Sequence, residues 1–600
     1  MTVNDEDEAS VPLISAPSSP GPTDELADRL SADADAAPNA TGRAKHTSRF
    51  REEMNDTYSD THWEREGLYR VADEVDEERH DEITEGDVDE SKLVRPGVFI
   101  WCLTLCAGVS GLLFGYDTGV VSSTLISINN DLSSRLLTTL DKSLITSSTS
   151  FFALIASPLT GVLADGLGRK PLILIADALF IIGALLQAYT STVWGMILGR
   201  SIVGAAVGSA SFVVPLYISE LSPSPFRGRL VTVSSLFITG GQVVAYIVGW
   251  AFSETAGGWR WMVGLGAFPA MLQFGMLAFM PETPRFLIQK GAVAEARKVL
   301  TRVYGSGEEM QRLVSAVLRR VEVEVMEEEV TRPQPVKDGT SWTARYALIS
   351  ETFTQLLAVD SHRRALVIAC TLQAAQQMCG FNSLMYFSAT IFQLVGFSSP
   401  TLTSLAIALT NFAFTLVAFW TIDRIGRRRI LLRSIPVMVL GLALCAVAFM
   451  FVSLPEDSHA RLPASSDGKM WPALILLSMI IYVAAYAIGL GCVPWQQSEL
   501  FPLSVRATGS ALATSTNWAS NTLVGLTFLP MMRVLSPSGT FALYATVCIG
   551  AWVAVRQIYP ETAGLSLEDV GKLLAENYGV EESVQRFQKR AGTNGAGSGG

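Results

Sequence analysis

Polar side chains that could bind hydroxyl groups interrupt an apolar stretch of this chain. The segment GLGCVPWQQSELFP, residues 489–502, carries Gln496, Gln497 and Glu499 beside a tryptophan and two prolines. Each unpaired polar group in an apolar interior costs several kcal/mol, so a chain keeps such groups where something uses them. The segment is therefore a candidate binding region.

A second set of amides flanks a glycine, with Gln376 and Gln377 before Gly380 and Asn382 after it. At roughly 100° per residue, a straight helix would set Gln376 and Asn382 about 120° apart. We therefore predict a break at Gly380 that lets both face one cavity. Carboxamides donate and accept hydrogen bonds, as the hydroxyls of a polyol do, and Trp495 offers a flat apolar face for a ring. For any single amide, the alternative is a hydrogen bond between helices.

Two ionisable residues lie inside apolar runs, Asp117 in GLLFGYDTGVV and Arg200 in GMILGRSIVGAA. We place them roughly 16 and 10 Å from the same membrane face, at about 1.5 Å per residue, so they can pair. Pairing favours the ionised carboxylate, and loss of the partner favours the protonated one, as a proton carrier requires. The alternative is a static buried ion pair.

The composition sets the elements that must position these residues. The 600 residues are 49% hydrophobic and 17% charged, with a mean hydropathy of +0.33, which indicates an integral membrane protein. Runs of about 20 apolar residues predict an all-α protein with twelve transmembrane helices. These begin near Val98, Leu144, Leu172, Val193, Leu230, Trp261, Leu366, Thr401, Ile430, Pro472, Ala507 and Thr540.

The segment before Val98 differs sharply from the rest. It holds about 26 acidic and about 10 basic residues and little apolar area, so we expect it to be disordered.

Basic residues concentrate in the loops after the second, fourth, eighth and tenth helices, which places both termini in the cytoplasm. The seven cysteines show no CxxC spacing, and we expect neither disulfides nor a metal site.

The chain repeats itself. LADGLGRKPL returns as TIDRIGRRRI, VPLYISELSPSPFRG as VPWQQSELFPLSVRA, and PETPR as PETAG. The charged positions that match are Asp165 with Asp423, Arg169 with Arg427, Glu220 with Glu499, and Arg227 with Arg506. Two six-helix halves around a long polar segment are typical of transporters, whose substrate site lies near the midplane between the halves.

These loops, in this order, resemble the signature motifs of the sugar porter family of the major facilitator superfamily. QQMCGFNSLMYFSATIF and VPWQQSELFP are most similar to fungal myo-inositol transporters. The resemblance, which covers roughly Val98 to Leu574, implies the major facilitator fold. With the two tails that it leaves out, we predict five segments. They are a disordered tail at 1–95, six-helix bundles at 96–282 and 363–559, a cytoplasmic helical linker domain at 283–362 and a tail at 560–600.

The resemblance also implies the site. The positions that match sugar-contacting or site-lining residues are Gln376, Gln377, Asn382, Asn411, Trp495, Asn517 and Trp518. Where many sugar porters place a glutamine on helix five, this chain has Ser235, with Gln242 two turns further along, so the helix-five contact stays open.

The charged repeat positions are implied to form an inner gate that holds the cytoplasmic side shut. Plain ion pairing at helix ends is the alternative. Proton symporters of the family resemble this chain at Asp117, which facilitative members usually lack.

The hypothesis is thus a plasma-membrane, proton-coupled transporter of myo-inositol or a similar polyol, acting as a monomer in the lipid bilayer. Alternatives are a hexose or pentose transporter, as a symporter or facilitator, and a nutrient sensor. We predict no enzyme activity, cofactor or nucleic-acid partner, since the linker shows no phosphate loop, metal cluster or catalytic triad.

Overall fold

The computed structural model describes residues 97–223, 225–331, 352–452, 470–493, 500–502, 505–563, 565 and 567–596. The predicted acidic tail at 1–95 lies outside this part of the chain. Every regular element in the described residues is a helix, which confirms the all-α prediction.

The first half contains seven helical pieces and the linker contains three. They are α1 (Val98–Ser127), α2 (Thr139–Leu167), α3 (Arg169–Tyr189), α4 (Val193–Leu221), α5 (Arg227–Ala251), α6 (Gly258–Gly264), α7 (Ala267–Ala278), α8 (Pro284–Gln289), α9 (Val293–Tyr304) and α10 (Glu308–Thr331).

The second half follows the same plan, with its first span in two pieces, and ends in two short helices. They are α11 (Asp360–Met378), α12 (Phe381–Val395), α13 (Pro400–Ile425), α14 (Arg427–Met450), α15 (Met470–Ile488), α16 (Arg506–Val534), α17 (Ser536–Ile558), α18 (Leu567–Glu576) and α19 (Val580–Ala596).

Eleven helical segments of the described chain are long and apolar enough to cross a membrane. Two long helices of the described chain fall outside this set: α10, which belongs to the linker, and α16. Helix α16 has 29 residues but carries the polar run SALATSTNWASNT, which lowers its apolar character. It packs against α11 in its own half and against α2 in the other. The polar run therefore lies on a helix between the two halves, where a site can use it.

The repeat seen in the sequence is also a repeat of packing. In the first half α1 packs on α5, α2 on α4, and α3 on α7. In the second half α11 packs on α16, α13 on α15, and α14 on α17. Contacts between the halves repeat as well, since α2 meets α16 and α5 meets α13. The halves are thus related as two parallel repeats about an axis between them.

A row of glycines explains the close packing of α1 on α5. Gly108, Gly111, Gly115 and Gly119 recur at spacings of three or four and so share one face of α1. A Cβ at Gly111 would lie 2.7 Å from the Ser234 carbonyl oxygen of α5. Small residues let two backbones approach inside a membrane, where apolar burial gives helices little reason to associate.

We call the end of the bundle at which α1 begins the inner end and the opposite end the outer end. Spans α1, α3, α5 and α11–α12 run from the inner to the outer end. The span that follows each of them (α2, α4, α6–α7 and α13) runs from the outer to the inner end.

Candidate functional site

The seventh span breaks at Gly380, as the sequence predicts. Gly380 has φ +89°, between the end of α11 and the start of α12. A Cβ there would lie 2.8 Å from the ring of Tyr544, so both conformation and space require glycine. The carbonyl of Cys379, freed by the break, accepts a hydrogen bond of 2.9 Å from the Tyr482 hydroxyl. The break is therefore a built feature of the fold.

The amides on either side of the break form one hydrogen-bonded cluster. Asn382 Nδ2 donates to Gln377 Oε1 at 2.6 Å, and Gln377 Nε2 donates to Asn517 Oδ1 at 2.9 Å. Asn517 Nδ2 in turn donates to Gln376 Oε1 and to Gln373 Oε1, both at 2.7 Å. We call these five residues the amide cluster. A ligand hydroxyl can replace any of these bonds, because it both donates and accepts.

Gln373 was missed by the sequence reasoning, although it lies three and four residues before Gln376 and Gln377. That spacing puts side chains on one helix face and was the available signal. The same holds for Asn521, four residues after Asn517, whose Nδ2 donates to the Tyr386 hydroxyl at 3.1 Å.

The tenth span also ends early, at Ile488, and a 3₁₀ turn at Leu490–Cys492 follows. The Gly491 carbonyl in this turn lies 3.5 Å from Gln376 Nε2, a long contact that ties the turn to the amide cluster. The predicted Trp495 and Glu499, with Gln496 and Gln497, lie outside the described residues.

Gln242 of α5, one of the two residues that could make the helix-five contact, bonds to the second half of the protein. Its Oε1 accepts a hydrogen bond of 2.8 Å from Asn411 Nδ2, and both side chains are buried. Ser235 lies two turns nearer the inner end of α5 and is half-buried. Gln242 therefore bonds to another predicted site residue, Asn411.

Trp518 is also positioned between the halves. Its buried indole packs edge-on against Phe114 of α1, with ring centroids 5.5 Å apart. It therefore joins α16 to the first half one residue beyond Asn517 of the amide cluster.

Near the outer end, α12 contacts the first half through several hydrogen bonds. Ser122 Oγ lies 3.0 Å from Ser388 Oγ and accepts a hydrogen bond of 3.0 Å from the Ala389 backbone N–H. The Tyr246 hydroxyl donates to the Met385 carbonyl at 2.6 Å. These residues were not predicted. They cover the amide cluster from the outer side.

Asp117 and Arg200, whose depths allow them to pair, form a buried ion pair. Arg200 NH1 donates to Asp117 Oδ1, while Arg200 Nε donates to the Ile145 carbonyl of α2 at 3.2 Å. The guanidinium is thus fixed by α2 when it holds the carboxylate. A small cavity beside Asp117 is also lined by Phe180 and Gln187.

At the inner end, the first set of charged repeat residues is joined through Arg169. Its guanidinium lies 2.9 Å from Glu220 and 3.8 Å from Asp165, and the arginine is almost wholly buried. The side chain of Arg227 lies outside the described set. The described pairs therefore link the ends of α2, α3 and α4 within one half.

The second set is described only in part. Arg506 Nε donates to the Phe501 carbonyl at 3.3 Å, and Arg427 is half-buried at the start of α14. The Asp423 side chain and Glu499 are outside the described residues, so their roles in a gate stay predictions.

The third repeated motif proves to cap helices. Glu282 of PETPR accepts hydrogen bonds from the backbone N–H groups of Arg169 at 3.2 Å and Lys170 at 3.1 Å. Glu561 of PETAG does the same for Arg427 at 2.8 Å and Arg428 at 3.2 Å. A carboxylate at a helix N-terminus satisfies free N–H groups and the helix dipole.

The turns before these helices need glycine. Gly168 and Gly426 have φ +95° and +96°, and a Cβ on either would lie 2.5 Å from the carboxylate oxygen that caps the next helix. Burial raises the pKa of Glu282 above its ordinary value, and the backbone hydrogen bonds from Thr283, Lys170 and Arg169 oppose that rise. The motif's repeat 279 residues apart was the signal for this role.

A family model described as "Sugar (and other) transporter" matches residues 103–574. Among curated proteins, the chain is 42% identical over 511 residues to Myo-inositol transporter 1 of Cryptococcus neoformans, covering 84% of this chain and 87% of that one. It is 43% identical over 492 residues to Myo-inositol transporter 1 of Saccharomyces cerevisiae, covering 82% of each chain.

Among solved structures, the chain resembles a partially occluded, inward-open conformation of the xylose transporter XylE from E. coli. The TM-score is 0.62 at 25% identity, covering 78% of this chain and 100% of that one. The proton:xylose symporter XylE bound to 6-bromo-6-deoxy-D-glucose matches with a TM-score of 0.64 at 25% identity, over 79% and 99%. These likenesses confirm the major facilitator fold.

Proposed function

The chain belongs to the sugar transporter family, and from this premise we propose that it moves myo-inositol or a similar polyol across a membrane in symport with protons. Sugar or polyol transport follows from the family and its multi-pass membrane architecture. The observation that carries the choice of a polyol is the amide cluster, in which neutral donors and acceptors lie beside a broken helix.

The chemistry of the cluster favours a neutral, hydroxyl-rich ligand. A charged ligand would lose its hydration and would need an opposite charge, since isolated buried charges are costly. Gln376, Gln377, Asn382 and Asn517 supply uncharged amides whose bonds to one another compensate their burial until a substrate arrives. Myo-inositol presents a hydroxyl on every ring carbon, so it can exchange several of these bonds at once.

Transport requires the site to open to each side in turn. We propose that α12 is the moving outer gate, because the break at Gly380 separates it from α11 and it contacts the first half through Ser122 and Tyr246. Release of these hydrogen bonds would open the amide cluster to the outer side. The charged inner-end residues, including Arg169 and Glu220, would then hold the opposite side closed.

Proton coupling is proposed at Asp117. Protonation of its carboxylate removes the charge that attracts Arg200, and loss of the proton restores the pair. Each exchange changes how α1 is tied to α2 and α4, because Arg200 also bonds to the Ile145 carbonyl. An intramembrane ionisable pair is a functional candidate by default, and a solved relative is a proton:xylose symporter.

We further propose that the inner end faces the cytoplasm, with both termini there, and that the protein acts as a monomer in the plasma membrane. The basic residues that support this orientation cluster at loops of the inner end. The proposed segments are the tail at 1–95, the bundles at 96–282 and 363–559, the linker at 283–362 and the tail at 560–600.

The test is uptake of radiolabelled myo-inositol, glucose, xylose and sorbitol into cells that lack their own transporters. We expect saturable uptake of myo-inositol that exceeds that of the other three and rises as the external pH falls. Preference for glucose or xylose would replace the polyol assignment with a hexose or pentose transporter.

A further inference from the structure

A second carboxyl group lies inside the first half, at Asp177 of α3, and the transport scheme above does not use it. The residue is 2% exposed, and its Oδ2 atom has no hydrogen-bond partner among the described residues. Buried polar groups are nearly always bonded, so each exception calls for an explanation.

Asp177 faces a small cavity between three helices. Ser110 and Leu113 line it from α1, Phe180 lines it from α3, and alanines with Val207 line it from α4. Among the described residues, the lining includes no basic side chain. Ser110 Oγ accepts a hydrogen bond of 2.5 Å from Gln273 of α7, so the inner side of the cavity is polar.

This cavity lies directly inward of the one beside Asp117. Phe180 lines both cavities, and Asp177 is one turn before it on α3. Ser110 is seven residues before Asp117 on α1, a rise of about 10 Å toward the inner end. The order from the outer to the inner end is therefore Asp117, the Phe180 ring, then Asp177.

The surroundings of the two carboxyl groups differ in charge. Asp117 is held by Arg200, whereas the cavity that Asp177 faces is lined by Ser110 and by apolar residues of α1, α3 and α4, and Gln273 of α7 bonds to Ser110. The thiol of Cys106 on α1 is close enough to interact electrostatically with Asp177. A buried carboxylate without a cation is costly, whereas a protonated carboxyl group carries no charge that would have to be compensated. Asp177 can therefore store a proton without a partner.

We propose that Asp177 is a second proton-binding residue, which takes the proton that Asp117 releases and passes it toward the inner side. The inference rests on the proposed symport. Asp177 first gives its proton to the inner solution and becomes a carboxylate. The proton on Asp117 then moves to Asp177 through water that bridges the two cavities when the Phe180 side chain turns aside, and the Asp117 carboxylate is left paired with Arg200. In each cycle one proton binds to Asp117 and one proton leaves Asp177 for the inner solution, and no other reactant is consumed.

The experiment uses the full-length protein in proteoliposomes and compares wild type with Asp177→Asn, Asp177→Glu and Asp117→Asn. Counterflow exchange of labelled myo-inositol needs no net proton transfer, so we expect Asp177→Asn to retain it. Its initial rate of proton-driven accumulation should fall about tenfold or more, as loss of a proton-transfer group does elsewhere. Asp177→Glu, which keeps the carboxyl group, should restore much of that rate.

An infrared comparison supplies a readout that a purely structural role would not change. A protonated Asp177 should give a carboxylic-acid C=O band at neutral pH that is missing in Asp177→Asn and kept in Asp117→Asn. Wild-type accumulation and pH dependence in Asp177→Asn, an unchanged band, or equal losses of exchange and accumulation would each overturn the proposal for Asp177 alone. If wild-type protein never accumulates substrate, the proposed symport is wrong. The proposed proton transfer from Asp117 to Asp177 is then wrong as well.

Discussion

Asn411 donates a hydrogen bond of 2.8 Å to Gln242, and this bond joins the two six-helix halves at a buried position. Gln242→Ala or Asn411→Ala leaves the other amide unpaired, which costs roughly 1 to 3 kcal/mol. We expect either variant to weaken the apparent affinity for substrate, and the double variant to weaken it by less than the two losses combined. Uptake kinetics of the four proteins measure this coupling.

Thr421→Ala is the matched control for this double-mutant comparison. The Thr421 hydroxyl bonds to the Val417 carbonyl of its own helix and so does not join the two halves. It should leave the kinetics unchanged. Strictly additive effects of Gln242→Ala and Asn411→Ala would mean that the bond between them does not matter for transport.

Within the amide cluster, Gln377→Ala or Asn382→Ala should weaken apparent affinity by about tenfold or more, since about 1.4 kcal/mol corresponds to a factor of ten. The reason is that each truncation leaves substrate hydroxyls without the hydrogen bond that the amide would make. Gln393→Ala, which changes an exposed glutamine further along α12, is the control. The measurement is the KM for myo-inositol in correctly delivered variants, and an unchanged KM for Gln377→Ala and Asn382→Ala would remove the cluster from the binding site.

Asp117→Asn keeps size and polarity but cannot ionise. It should abolish uptake against a gradient while counterflow exchange continues, because exchange does not require the proton to leave. In wild type, uptake should rise as external pH falls and collapse with a protonophore, since an inside-negative potential adds about 2.3 kcal/mol per charge per 100 mV. Accumulation ratio and exchange are measured in the same vesicles.

Two results would contradict that assignment in different ways. An Asp117→Asn protein that still concentrates substrate would show that coupling lies elsewhere. A wild-type protein that only equilibrates substrate would be a facilitator, and its pair with Arg200 would then be structural.

The helix-capping turns predict where stability is sensitive. Gly168→Ala and Gly426→Ala each force a side chain into a conformation that costs about 1 to 3 kcal/mol, and each brings its Cβ against a capping glutamate. Both should lower the melting temperature of purified protein. Gly275→Ala, in a helix with open space around the new Cβ, should be harmless. Equal melting temperatures for all three would argue against the capping role of Glu282 and Glu561.

The proposed orientation predicts the accessibility of inserted tags. A tag at Ser465, in the segment before α15, should be labelled from outside intact cells. Tags at Ser31 and Gly595 should become accessible after permeabilisation. Surface labelling of either terminus would reverse the orientation.

Local sequence was enough to predict several parts of the site. The break at Gly380 follows from a glycine between amides that a straight helix would turn apart, and the pairing of Asp117 with Arg200 follows from their depths along two spans. The division into two halves follows from motifs that occur twice along the chain. The first two inferences need only the rise and rotation of a single helix, together with the cost of an unpaired polar group in a membrane.

The partners of individual polar residues required the tertiary structure. A helix that is apolar on all sides carries no periodic signal for its rotation about its own axis, so its sequence does not reveal which neighbour a polar residue faces. The sequence therefore left Gln242 unassigned, and packing brought it to Asn411. Asp177 was open to the same reasoning as Asp117, yet only packing decided that one carboxyl group meets an arginine and the other a cavity without a cation.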